Sequence, residues 1–335
     1  VSYQVTLLEG ENLYASAINN AGQIVGNHAP NDASARYAVS WTGTTPHAIG
    51  GLLSVYDVND AGAMVGYGVT GAGQYGGLML TGGQAIPLGA GAALAINNAG
   101  QMAGEALVRG NLRLMRRAVL WQGGVRTELV AEGFNHAAAY AISENGLVGG
   151  TASQIRDTPG RAVVWDNGQA TLLGTVSGYD LVSVTGLNDA GLVIGNATDI
   201  SYGSRAVKWD NSLEGTVLPY LSGYDQSETR ALNDQGQVVG GMWSVDGASA
   251  VLWNGQDAFD LNSFLDASLV SAGWSLLVAT DINDSGWIVG SARNSVTGEV
   301  RSFLSMPSPV PEPSTVALIL AALGVLALMR RRYAC

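Results

Sequence analysis

The ten residues 17–26, AINNAGQIVG, return six more times: DVNDAGAMVG from Asp57, AINNAGQMAG from Ala95, AISENGLVGG from Ala141, GLNDAGLVIG from Gly186, ALNDQGQVVG from Ala231 and DINDSGWIVG from Asp281. Copies spaced by roughly 38 to 50 residues mark a repeat architecture. Each copy reads as a hairpin. An apolar β-former (Ile18, Val58, Ile96, Ile142, Leu187, Leu232, Ile282) leads into a turn rich in Asn and Asp, and a second apolar run follows. A type I turn followed by one left-handed residue needs Gly at the left-handed place, and Gly22, Gly62, Gly100, Gly146, Gly191, Gly236 and Gly286 occupy it. A second Gly closes every copy (Gly26, Gly66, Gly104, Gly150, Gly195, Gly240, Gly290), where a missing side chain lets a neighbouring backbone approach or the strand bend. Both sets of glycines are therefore structural.

Between copies lies a second signature, an apolar strand ending at Trp41, Trp121, Trp165, Trp209 or Trp253, with Leu78-Met79-Leu80 and Phe303-Leu304 in the corresponding places of the second and seventh units. A further Gly turn and a short apolar strand such as Thr171-Leu172-Leu173 complete most units. Four short strands per unit, seven units, and sheets that cannot bury both faces until neighbours stack predict an all-β, seven-bladed β-propeller. The seventh unit runs into Pro307-Ser308-Pro309 without a fourth strand, while residues 3–8 precede the first unit and resemble a fourth strand. The N-terminal strand is thus expected to close blade seven and remove the open edge.

Composition suits this reading: 46 glycines in 335 residues, 13% charged and 47% hydrophobic describe a turn-rich chain long enough for a large core. A net charge of -11 and the absence of a basic cluster within the repeats exclude nucleic acid as a partner, because phosphate binding needs grouped Lys and Arg. The one cysteine, Cys335, is the last residue, so the repeats hold no disulfide and no thiolate metal site.

Candidate chemistry is sparse. His28, His47 and His136 fall at non-equivalent places and in no HExxH or GxSxG setting, so no catalytic residue, cofactor site or metal site is assigned and the chain is not read as an enzyme. The strand arginines Arg36, Arg116, Arg161, Arg205 and Arg301 are expected to stitch blades together. Asp60, Glu144, Asp189, Asp234 and Asp284 share one turn position and should lie on one rim. Turn preference accounts for them, and one carboxylate per blade spaces the charges too widely for a single ion. The terminal tryptophans are expected in the core. Tyr75, Tyr179, Tyr202, Tyr224, Trp243 and Trp274 lie outside the regular phrase and are the candidate ligand aromatics, suited to stacking on sugars. The departures at 105–115 and 262–279 are where a ligand site would be built.

The tail changes character. Pro311-Glu312-Pro313 is followed by an apolar run ending at Met329 and then Arg330-Arg331-Arg332. Residues 314–329 would span about 24 Å as a helix, a marginal bilayer crossing, with the arginines held on the cytoplasmic side. This tail resembles the PEP-CTERM sorting signal of Gram-negative bacteria. The resemblance implies a protein exported across the inner membrane, held there by residues 314–335, and recognised by an exosortase at Pro311, Glu312 and Pro313. Arg330, Arg331 and Arg332 would stop transfer, and cleavage would release the protein to the cell surface or extracellular matrix. The repeats are similar to the HAF family of extracellular repeats, although Arg-Ala-Val stands where that family has His-Ala-Phe. The chain starts at Val1 without a charged and apolar leader, and an export signal is expected to have been removed.

The expected organisation is a propeller over 1–306, a Pro-rich linker over 307–313 and a membrane helix with basic tail over 314–335. The expected role is a surface or biofilm-matrix component that binds polysaccharide. The alternatives are a self-associating structural subunit and a glycan-active propeller enzyme.

Overall fold

The computed structural model describes residues 2–308 apart from 30–35, 71–72, 90, 110–113, 155–159, 180, 200–202 and 211–213. The expected linker beyond 308 and the membrane helix lie outside the described residues. Among the described residues no helix is long and apolar enough to cross a membrane.

Seven four-stranded antiparallel sheets succeed one another along the chain. Blade one occupies 13–49, blade two 52–87, blade three 92–129, blade four 136–172, blade five 181–217, blade six 226–260, and blade seven 274–307. Blade seven takes its fourth strand from the other end of the chain. Tyr3–Leu7 pairs antiparallel with Val300–Pro307 in the register Tyr3 to Pro307 through Leu7 to Phe303. The predicted seven-bladed propeller, closed by the N-terminal strand, is what the structure shows. The closure is covered by a departure from the repeat: Leu261–Phe264 forms a 3₁₀ turn capped by Asp260 and Ala267–Ser271 a short helix. Leu261 is fully buried, and Phe264 lies 5.5 Å from the ring of Tyr3. Part of the insertion at 262–279, Phe264, Leu265 and Trp274, thus packs onto the core of blade seven.

Within each repeat the two glycines do different work. The seven turn glycines all have φ between +74° and +87°, a region that costs any residue with a Cβ. The second glycine answers a bulge. In all seven blades the pairing of the first two strands slips by one residue, as between Ala15 and Ala17, and a carbonyl of the innermost strand is pushed towards its partner. A Cβ on the closing glycine would stand 1.9 to 2.2 Å from that carbonyl oxygen in every blade, as Gly195 does from Ser183 O at 2.0 Å.

The tryptophans are core, as expected. Trp41, Trp121, Trp165, Trp209 and Trp253 are at most 5% exposed. Burial of such a ring contributes on the order of 1.5–3 kcal/mol. The indole N–H also finds a partner in the link that leaves the preceding blade: Trp165 donates to Val130 O at 3.0 Å, Trp209 to Gly174 O at 3.2 Å and Trp253 to Pro219 O at 2.8 Å. One side chain thus fills the gap between two sheets and ties them.

Candidate functional site

Strand direction gives the propeller two unlike faces. The repeated Asn-rich turns, joining first and second strands, sit on one, here the turn face. The second-to-third loops and the links between blades sit on the other, the loop face.

On the turn face the first residue of each turn is buried and forms a ring. Asn19 shows the pattern: its Oδ1 accepts from Gln23 N at 2.8 Å, closing its own turn, and its Nδ2 donates to Asn59 O in the next blade at 2.8 Å. Asn59, Asn97, Asn188, Asn233 and Asn283 repeat the donation at 3.0 to 3.1 Å, and Asn283 returns to Asn19 O across the closure. An amide supplies both an acceptor and a donor, a carboxylate only acceptors, so Asp would leave the next blade's carbonyl unanswered. Blade four has Ser143 instead, and Asn145, two residues on, reaches Asp189 O at 3.3 Å.

The second turn residue builds an outer ring. Asn20 N donates to Asp60 Oδ1 at 2.7 Å, Asp60 N to Asn98 Oδ1 at 2.8 Å, Asn98 N to Glu144 Oε2 at 2.9 Å, Asn145 N to Asp189 Oδ1 at 2.9 Å, and Asp234 N to Asp284 Oδ1 at 2.9 Å. Sequence reasoning took these acids as turn formers; each is also a stitch to the neighbouring blade. The signal was available, since the same position carries an acceptor side chain in all seven copies. Glu144 and Asp234 are pushed above the ordinary carboxylate range, first by burial and then by neighbouring rim carboxylates. Among the described residues no group of three His, Cys, Asp or Glu is arranged to hold a metal ion.

Deeper in the channel the repeat breaks twice. Asp57 and Asp281 occupy the position held elsewhere by Ala17, Ala95, Ala141, Gly186 and Ala231. Asp281 accepts from Ile18 N at 2.7 Å and Ile282 N at 2.9 Å, bridging blade seven to blade one. Asp57 likewise accepts from Ile96 N and Val58 N, both at 2.8 Å. Desolvation raises Asp57 to about 6; desolvation and then the Asp57 charge raise Asp281 to about 8.

The loop face is irregular. A cavity of about 370 Å³ opens there between blades four and five, lined in part by Tyr140, Thr151, Ser153, Ser183 and Thr198. Arg116 and His136 stand at its edge, the Arg116 main-chain N–H donating to His136 Nδ1 at 3.2 Å.

The candidate aromatics do not converge on this cavity. Tyr179, Tyr224 and Trp274 pack against the cores of blades five, six and seven. Trp274 also lies under the Arg301 guanidinium at 5.5 Å. Trp243 is half-buried in blade six, and Tyr202 lies outside the described residues. Tyr75 is 68% exposed and stacks on Tyr67 with centroids 6.5 Å apart, far from the others in blade two. Tyr140, the aromatic that does line the cavity, was hidden because it follows a run of alanines inside an otherwise regular strand. The strand arginines mostly bond within their own blades: Arg116 to Glu105 at 3.0 Å, Arg161 to Leu173 O at 3.1 Å and Arg301 to Glu299 at 2.6 Å. Arg205 crosses to Asp225 O at the start of blade six, and Arg36 is exposed. The histidines stay apart, His28 stacked on Tyr37 and His47 exposed in blade one, His136 buried in blade four.

These features define a closed propeller with a repetitive turn face and a cavity on the loop face. Residues 309–332 match the PEP-CTERM protein-sorting motif. That motif implies an exported protein sorted by an exosortase. Among curated proteins none matches the chain. Solved structures similar in fold include puromycin hydrolase, 14% identical with a TM-score of 0.55, covering 92% of this chain and 57% of that one. The β-propeller domain of the Trilobed protease from Pyrococcus furiosus, described as having an open velcro topology, is 12% identical with a TM-score of 0.52 over 77% of this chain and 86% of that one. The acylaminoacyl peptidase of Pyrococcus horikoshii is 10% identical with a TM-score of 0.52, and the chain covers 50% of its length. At these identities the likeness is one of fold alone.

Proposed function

We propose that this chain is an exported, non-enzymatic propeller, held at the inner membrane through residues 314–335, cut by an exosortase near Pro311-Glu312-Pro313, and released to the cell surface or matrix to bind extracellular polysaccharide. The observation that carries this reading is the sorting motif at 309–332 together with the place where the chain leaves the propeller. The last strand runs towards the turn face, and Pro307 lies against the blade-seven turn, its Cγ 3.2 Å from where a Gly286 Cβ would stand. Ser308 N then bonds Ser2 O at 2.8 Å. A tail leaving from the turn face presents the loop face, with its cavity, away from the membrane. The six Cα-to-Cα steps from Ser308 to Ser314 reach at most about 22 Å, so the tethered propeller has little freedom to invert.

The test is intact mass of the protein recovered from membranes and from medium of its own host, for the natural chain and Glu312→Ala. Release as a species ending near Pro311, with retention of the variant in membranes, supports sorting. A released species that still carries Arg330–Cys335 sinks it. Pull-down of host polysaccharide by the released form tests the binding role separately.

A further inference from the structure

Blade four has an innermost strand with small residues near its start. It begins His136-Ala137-Ala138-Ala139-Tyr140, where blade five has Leu181-Val182-Ser183-Val184-Thr185 and blade six Gln226-Ser227-Glu228-Thr229-Arg230. Gly149-Gly150 in the second strand and Gly160 before the third keep the volume small. In the strand that faces the channel, Ala137 and Ala138 stand where blade five has Val182 and Ser183 and blade six has Ser227 and Glu228, and the cavity of about 370 Å³ opens against them. Its size falls within the roughly 300–1,000 Å³ of small-molecule sites.

We propose that this cavity between blades four and five binds an uncharged sugar residue, a proposal that rests on the polysaccharide reading above and narrows it. The lining is hydroxyl-rich: Tyr140, Ser153, Ser183 and Thr198 contribute O–H groups, which both donate and accept and so match the hydroxyls of a sugar. Leu181, Val182 and the alanines supply apolar wall, and the Tyr140 ring, 37% exposed, offers a flat surface to the C–H face of a pyranose. Among the described residues no carboxylate lines the cavity, and the one arginine or lysine at its edge, Arg116, is paired with Glu105 at 3.0 Å. A charged ligand would meet no unmatched counter-charge and would lose its hydration. A neutral residue loses only hydrogen bonds that the hydroxyls replace.

The experiment titrates the full chain, held in a detergent without a sugar headgroup, with neutral tetrasaccharides (maltotetraose and cellotetraose) and with tetragalacturonate, by calorimetry and saturation-transfer NMR. A neutral tetrasaccharide is expected to bind at least about tenfold more tightly than the uronate. Ala138→Leu, which fills the cavity, should weaken that binding at least about tenfold, and Thr198→Val about threefold to tenfold. Asp60→Asn on the opposite face should leave it unchanged. If Ala138→Leu fails to fold, Thr198→Val with Ser183→Ala carries the test. Neutral binding that survives the cavity variants, or tighter binding of the uronate, overturns the proposal while leaving a polysaccharide role standing. Failure of the natural chain to bind any host or test glycan overturns both.

Discussion

On the turn face seven blades solve one problem in one way, with a buried Asn and a rim acceptor each passed to the next blade; on the loop face blades four and five share a cavity that the same repeat does not predict. The contrast has a physical source. Turns near the channel must satisfy buried backbone groups at a fixed inter-blade spacing, so sequence freedom there is small. Loop-face residues meet solvent, where each blade varies without unstitching the ring. Regularity marks the positions the fold needs, and departures from it mark the positions available for a ligand.

That contrast can be broken at several depths. The largest effect is expected from Gly195→Val. Its Cβ would stand 2.0 Å from Ser183 O and 3.0 Å from Trp209, so the variant should lose about 4 kcal/mol or more, or yield no folded protein by circular dichroism. Asn233→Ala removes the donor to Asn283 O and the acceptor for Gln237 N. It should cost about 2–3 kcal/mol in urea unfolding, against about 1 kcal/mol for Ser143→Ala, whose side chain makes no bond to the next blade among the described residues.

A pH series sharpens the picture within the channel. Asp57 and Asp281 hold their protons in the folded chain up to about 6 and about 8, whereas an unfolded Asp loses its proton near 4. Between about pH 4 and 8 the native state therefore binds more protons, and stability falls as pH rises through that window. Asp281→Ala copies the residue of blades one, three, four and six. It should flatten the decline between pH 6 and 8, lowering the melting temperature at pH 5, where two backbone donors lose their acceptor, and lowering it less, or raising it, at pH 9. The smallest effect is expected on the loop face: Thr198→Val should shift stability by no more than about 0.5 kcal/mol by thermal melting, although it is the variant expected to weaken sugar binding.

Much of this was legible in the chain. The turn glycines, the bulge glycines and the tryptophans each answer a local steric demand, and each recurs at a fixed place in the repeat. The closure by Tyr3–Leu7 was legible because a strand missing at one end was present at the other. The stitching by Asn19 and its counterparts was only half legible. Asn also suits a turn for local reasons, and its Nδ2 partner lies roughly 40 residues away in the next blade. The aromatics misled for a related cause. Lying outside the repeated phrase does not reveal exposure, and Tyr179, Tyr224 and Trp274 spend their rings on neighbouring cores.

By itself, then, the sequence determined seven blades, their order, the strand that closes them and the sorting motif that follows. Those features follow from periodicity and from residue types with narrow conformational or steric tolerance, which act over a few residues. Only the tertiary structure decided that the turn acids join blades, that the Asp57 charge bears on Asp281, and that Ala137 and Ala138 border a cavity. These depend on which side chains from different blades come within a few ångströms, a distance relation that a single blade's sequence does not contain.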